Sequence, residues 1–227
     1  DATESGTIAF VARRGRCWID LNRDEREVDR AMIDPPPHPS RTLVSARVRG
    51  GLGLIPRRLQ GLGELWRGPI PAAALARRIA EDYRPWHAAL ADAVAEARGR
   101  FGAAMLLDCH SMPPLPSGDD APDIVLGDRF GRSAASRIVD RLAAVVEAQG
   151  LRVAFNSPYA GGHALDRHGS PAAGTHAVQI EIDRRLYLTP DLRSPGPGLP
   201  RIRALIAALV AAASDELAPP RLDLAAE

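Results

Sequence analysis

Lysine is missing from the 227 residues, and all 29 basic side chains are arginine. That excludes chemistry built on a lysine: a Schiff base, a pyridoxal-phosphate anchor, a phosphate-loop lysine. A net charge of one sign is also missing. With 29 basic and 28 acidic residues the formal charge is +1, so the clustered positive excess of a broad nucleic-acid surface is not expected. The abundance of arginine and alanine reads as compositional bias. Cysteine is scarce. Cys17 and Cys109 cannot build a disulfide framework and do not stand at zinc-knuckle spacing, so a reducing cytoplasm is the expected setting. No apolar run approaches the ~20 residues of a membrane span. Asp1 to Gly6 has neither the basic start nor the apolar stretch of a signal peptide. No membrane partner is expected. Aromatics make up only 4%, so the core has to be mostly Ala, Leu, Val and Ile.

Hydrophobic residues at 45% are enough for a buried core, and the length fits one large domain spanning 1–227. Residues 7–12 and 17–21 read as two short strands around Arg14-Gly15-Arg16. The Pro- and Gly-rich stretch 34–71 is too long for an ordinary connector and reads as a surface excursion. Residues 71–100 are rich in helix formers. Pro85 predicts two helices or a kink near Tyr83-Arg84. The apolar run Ala103–Asp108 reads as a strand buried on both faces. Further strands are expected at 124–126, 151–155 and 177–183, with helices at 133–149 and 200–217 and a Pro-rich tail. Alternation of strand and helix is the α/β signature. No internal repeat is present.

Four clusters could carry chemistry. Asp20-Leu21-Asn22-Arg23 can present an amide and a guanidinium together, a pair suited to gripping a carboxylate. A solvated or ion-paired surface arginine is the plainer account. Asp108-Cys109-His110 places Asp and His on one side of the pleat, where a neutral His makes a good metal ligand. A His satisfied by backbone hydrogen bonds is the alternative. Cys109 faces the other way and reads as packing. In Gly127–Gly131, Arg129 is a candidate for an anionic ligand, and a structural Asp–Arg pair explains it equally well. In Gln179–Arg184, the residues Gln179, Glu181 and Asp183 share a face. A buried Glu181 needs a partner or a task, and general acid–base work is one such task. An ion pair with Arg184 is the other. His163, His168 and His176 lie in or near one loop, but their spacing is not diagnostic and there is no H-E-x-x-H. The combined set fits metal-assisted hydrolysis of an amide whose substrate carries free carboxylates. A catalytic zinc needs three protein ligands, and the sequence names one.

The ordered motifs DLNR (20–23), LLDCHSM (106–112), DIVLGDRFG (123–131), NSPYAGG (156–162) and AVQIEIDRRLY (177–187) resemble the N-formylglutamate amidohydrolase family. YRPWHAAL (83–90) looks like a further family segment. The resemblance implies a single α/β domain. Its sheet is mixed and mostly parallel, flanked by helices, of the phosphorylase/hydrolase-like kind seen in zinc carboxypeptidases. It implies hydrolysis of N-formyl-L-glutamate to formate and glutamate, late in histidine breakdown, with a divalent metal, zinc by expectation. His110 would be a metal ligand and Glu181 the general base. Asn22 and Arg23 would hold a substrate carboxylate, with Arg129 and Arg184 as further carboxylate readers. The partner expected is a small N-acyl amino acid. Family members carry an early Pro-His-Ser-Gly segment that resembles the source of the remaining ligands, and residues 1–19 lack it. The expectation is an upstream segment missing from this chain, or else a shortened relative with an incomplete site. The alternatives are a related deacylase or carboxypeptidase, and a non-catalytic carboxylate-binding relative.

Overall fold

The computed structural model describes residues 7–59, 63–116 and 121–217. The expected Pro-rich tail, the polar start at 1–6 and part of the excursion lie outside them. Two compact units emerge: residues 1–93 with 162–164, and residues 94–161 with 165–227.

The first unit has little regular structure. A two-residue parallel pair joins β1 (Ile33–Asp34) to β4 (Ile70–Pro71), and β2 (Arg58–Leu59) pairs antiparallel with β3 (Gly63–Glu64). One turn of helix, α1 (Ala46–Arg49), is capped by the Ser45 side chain. So the described residues of the 34–71 stretch form a loop system tied at its ends by the β1–β4 pair. The strands expected at 7–12 and 17–21 do not form, a correction with a plain cause. A strand needs a partner ladder. Ile8 and Val11 stand exposed, while Asp20 finds one backbone partner, Leu54 O, at 2.7 Å. Instead Ile19, Val28, Met32, Leu54, Ile55, Ile70 and Tyr83 close a small core.

α2 (Ala72–Arg78) continues through a π turn at Ile79–Tyr83 into α3 (Arg84–Phe101). The division into two helices expected near Tyr83-Arg84 falls there. Proline lacks an N–H and crowds the carbonyl four residues back. Widening the turn, with Arg84 N–H reaching Ile79 O, lets the helix pass.

The second unit is an α/β layer. Its sheet runs β5 (Ala104–Met112), β8 (Thr175–Asp183), β6 (Ile124–Gly127), β7 (Val153–Phe155) in spatial order. The β5–β8 and β6–β7 pairs are parallel and the central β8–β6 pair is antiparallel. Between β6 and β7 lies α4 (Ser136–Ala148), and α6 (Leu199–Leu217) follows β8. A short helix, α5 (His163–His168), lies between β7 and β8 in the sequence. Val178, Ile180 and Ile182 of β8 pack with Ile124 and Leu126 against Ile138, Leu142 and Val146 of α4 and Leu205 and Leu209 of α6. Each such side chain contributes roughly 1.5–3 kcal/mol by leaving water. That apolar layer leaves the other face of the sheet for polar residues.

Candidate functional site

Residues directly opposite in a ladder present their side chains to the same face. His110 of β5 is the partner of Glu181 of β8, and Asp108 is the partner of Gln179. The face opposite the apolar core therefore carries Asp108, His110, Gln179, Glu181 and Asp183 together. His110 Nε2 lies 2.9 Å from Asp108 Oδ2, two residues back along the strand. Glu181 is 7% exposed, and its Oε1 accepts from Gln179 Nε2 at 2.9 Å. Asp183 is held at the strand end by Arg185, whose Nε and NH2 reach its carboxylate at 3.0 and 2.7 Å. Cys109 is on the core-side face as expected, but at the sheet edge it is exposed, so it is not the packing residue the sequence suggested.

Arg184 follows β8 directly. Its guanidinium reaches Ser111 at the end of β5, with Nε 3.4 Å from Oγ. Arg129 stands elsewhere. Because β6 and β7 run antiparallel to β8, the loops after them lie at the end of the sheet where β5 and β8 begin. The strand ends that looked equivalent in sequence are thus split between two edges. Arg129 Nε and NH2 both reach the Asp166 carboxylate at 2.7 Å. Arg129 and Phe130 have φ of 59° and 58°, followed by Gly131 at 80°, an arrangement costing about 1–3 kcal/mol per non-glycine residue. Asn156 offsets this cost. Its Oδ1 accepts from Asp128 N–H and Phe130 N–H, and its Nδ2 donates to Asp128 at 2.8 Å.

The first unit holds Asn22 and Arg23, both buried. Asn22 Oδ1 accepts from Ala164 N–H at 2.8 Å. Arg23 donates to Leu52 O at 2.9 Å and Asn22 O at 2.8 Å and pairs with Asp20 at 3.5 Å. Burial lowers its pKa, while Asp20 opposes that shift. The YRPWHAAL segment supports this turn. Tyr83 OH donates to Arg23 O at 2.8 Å, and His87 Nε2 lies 3.0 Å from Leu21 O. His163 stacks beside Tyr83 and edge-on to His87.

A family model for N-formylglutamate amidohydrolase matches residues 1–188, a span that contains every motif described above. The chain belongs to the N-formylglutamate amidohydrolase family. Proteins named N-formylglutamate deformylase from Pseudomonas aeruginosa and Pseudomonas putida are 32% and 31% identical to it over 194 residues, 82% of the chain. The chain spans 66% of the length of each. The crystal structure of N-formylglutamate amidohydrolase from Ralstonia eutropha JMP134 superposes with a TM-score of 0.81 at 32% identity. That match covers 89% of this chain and 74% of the other. A gene product from Agrobacterium tumefaciens shares the fold at TM-score 0.60 and 20% identity, over 89% of this chain and 68% of that one.

Within this family member, the donor set for a metal can be tested directly. Among the described residues no group of three His, Cys, Asp or Glu is placed to hold an ion. His163 packs with Tyr83 and His87, and His176 Nδ1 accepts from Ala135 N–H at 3.3 Å. The residues described therefore do not fit a complete catalytic metal centre. Sequence reading singled out His110 and Glu181 but passed over Gln179 as a partner. The signal was present: two polar residues one repeat apart, alternating with the apolar Val178, Ile180 and Ile182. Asp166 gave no local signal, because it meets Arg129 across 37 residues.

Proposed function

We propose that the protein hydrolyses the amide of an N-acylated acidic amino acid, N-formyl-L-glutamate giving formate and L-glutamate. The observation that carries this reading is the register partnership of His110 and Glu181 on the polar face of a sheet whose other face is sealed by α4 and α6. Family membership supports the substrate. In the proposed reaction a water oxygen adds to the formyl carbon and the carbon–nitrogen bond breaks. Glu181 takes the water proton and returns it to the departing nitrogen, the general acid–base role that a buried carboxylate can fill. Asp108 orients the His110 ring. Arg184 is proposed to grip a substrate carboxylate, since an arginine fork matches that geometry. Asn22, Arg23 and Arg129 are proposed to contribute to substrate binding through the order they impose on their loops. Their polar atoms already hold Ala164, Leu52 and Asp166.

His110 is the one metal ligand we assign to this chain, with zinc the metal suggested by the resemblance. Among the described residues no three-ligand group accompanies it. That same observation favours a second reading, a carboxylate-binding relative without turnover. The reaction as proposed belongs to histidine breakdown in the cytoplasm, a setting supported by the scarcity of cysteine.

Release of the free amino acid decides between the readings, measured with N-formyl-L-glutamate, N-acetyl-L-glutamate and N-formylglycine, with and without zinc. Release from N-formyl-L-glutamate well above the other two supports the proposal. Binding of glutamate without such release supports the second reading.

A further inference from the structure

We propose that Gln179 is a positioning residue for the Glu181 carboxylate, an inference that rests on the reading of Glu181 as the proton carrier. The two side chains leave β8 on the same face, and Gln179 Nε2 donates to Glu181 Oε1 at 2.9 Å. Both are almost wholly buried, at 5% and 7% exposure. A carboxylate only accepts hydrogen bonds, so the amide nitrogen, not its oxygen, must face it.

The surroundings explain why glutamine suits this place. Gln179 pairs with Asp108 on the β5 side and with Gly127 on the β6 side. Gly127 shares the face of its partner, and a Cβ there would lie 2.7–2.8 Å from backbone atoms of Tyr159, Ala160 and Gly161. The 159–161 backbone therefore packs against Gly127, the β6 partner of Gln179. A charged donor at this depth would carry a large desolvation cost, and an apolar residue would leave the carboxylate short of a donor. A neutral amide adds no charge and cannot surrender a proton. It therefore fixes one oxygen of Glu181 without competing for the proton that Glu181 is to move. With Oε1 tethered, the carboxylate plane is set by the strand, not by a flexible side chain. This lowers the entropy lost in reaching the reacting geometry.

The test combines kinetics with a thermal double-mutant cycle on the whole chain. Gln179→Met keeps the volume and removes the donor. For N-formyl-L-glutamate hydrolysis, kcat should fall about tenfold with KM within about twofold, as expected for loss of a hydrogen bond to a charged group. Gln179→Glu, which sets two carboxylates side by side, should cost more. In the cycle, Gln179→Met should lower Tm by about 3 °C in the Glu181 background and by less than about 1 °C in the Glu181→Leu background. Additive Tm changes overturn the pairing. An unchanged kcat in Gln179→Met, where Glu181→Gln has lowered it, overturns the positioning role alone. An unchanged kcat in Glu181→Gln overturns the underlying reading, and this role with it.

Discussion

The Asn22 side chain and the Gly162 backbone occupy one tight seat. Asn22 Oδ1 accepts from Ala164 N–H at 2.8 Å, and a Cβ on Gly162 would come within 2.3–2.4 Å of the Asn22 amide. Gly162 has room for hydrogen and nothing larger. Gly162→Ala should therefore destabilise the chain by about 2 kcal/mol or more, because a buried amide in a hydrogen bond has to move. Chemical denaturation reads this as a lower midpoint at constant slope. A loss under ~0.5 kcal/mol would show that the seat is loose.

Glu181→Gln removes the proton carrier while keeping the size and the strand. The expected loss in kcat is at least ~10²-fold, the lower end for a missing general base. Steady-state formate release measures it, and unchanged turnover would sink the assigned role.

His110→Ala tests the ligand assignment separately from turnover. The intact chain should hold zinc more weakly than a closed three-ligand centre, since one histidine supplies a fraction of the coordination. The variant should lose what binding there is. Dialysis against zinc followed by metal analysis reads the difference. Stoichiometric zinc in the variant would remove His110 as a ligand.

His176 gives a stability effect with a defined sign. Burial, and to a smaller extent the charge of Arg137, lower its pKa below the ordinary value. Its Nδ1 accepts from Ala135 N–H just before α4 and cannot do so once protonated. The unfolded chain binds this proton more readily, so the contribution is fully present above ~6.5, the unfolded value. It is lost as pH falls through the lowered folded value. Unfolding midpoints between about pH 5 and pH 8 should rise with pH, and His176→Gln should flatten that rise. An equal slope in the variant would assign the effect to other groups.

Much of the second unit was legible because strand and helix periods are local. The alternation Val178, Ile180, Ile182 against Gln179, Glu181, Asp183 marks two faces of β8, and both faces are where that pattern puts them. The helices expected at 133–149 and 200–217 appear as α4 and α6 within a few residues. The first unit was misread at 7–21, where apolar residues suggested strands that have no neighbour to pair with. Pro85 marked the boundary between α2 and α3 near Tyr83-Arg84, although the π turn that joins them lies just upstream of it.

By itself the sequence determined the chemical vocabulary. With no lysine, scarce cysteine and balanced charge, it restricted the chemistry to His, carboxylates and arginine, and its motif order pointed to one family. Only the tertiary structure decided which of those residues meet. Strand direction is set by long-range pairing and not by any local pattern. The antiparallel β8–β6 pair put Arg129 at one edge of the sheet and Arg184 at the other, and the parallel β5–β8 pair set His110 beside Glu181. The partners that fix these side chains are Asp166 for Arg129, Gln179 for Glu181 and Ala164 for Asn22. Two of the three lie 37 and 142 residues away, and such pairings exist only once the chain has folded.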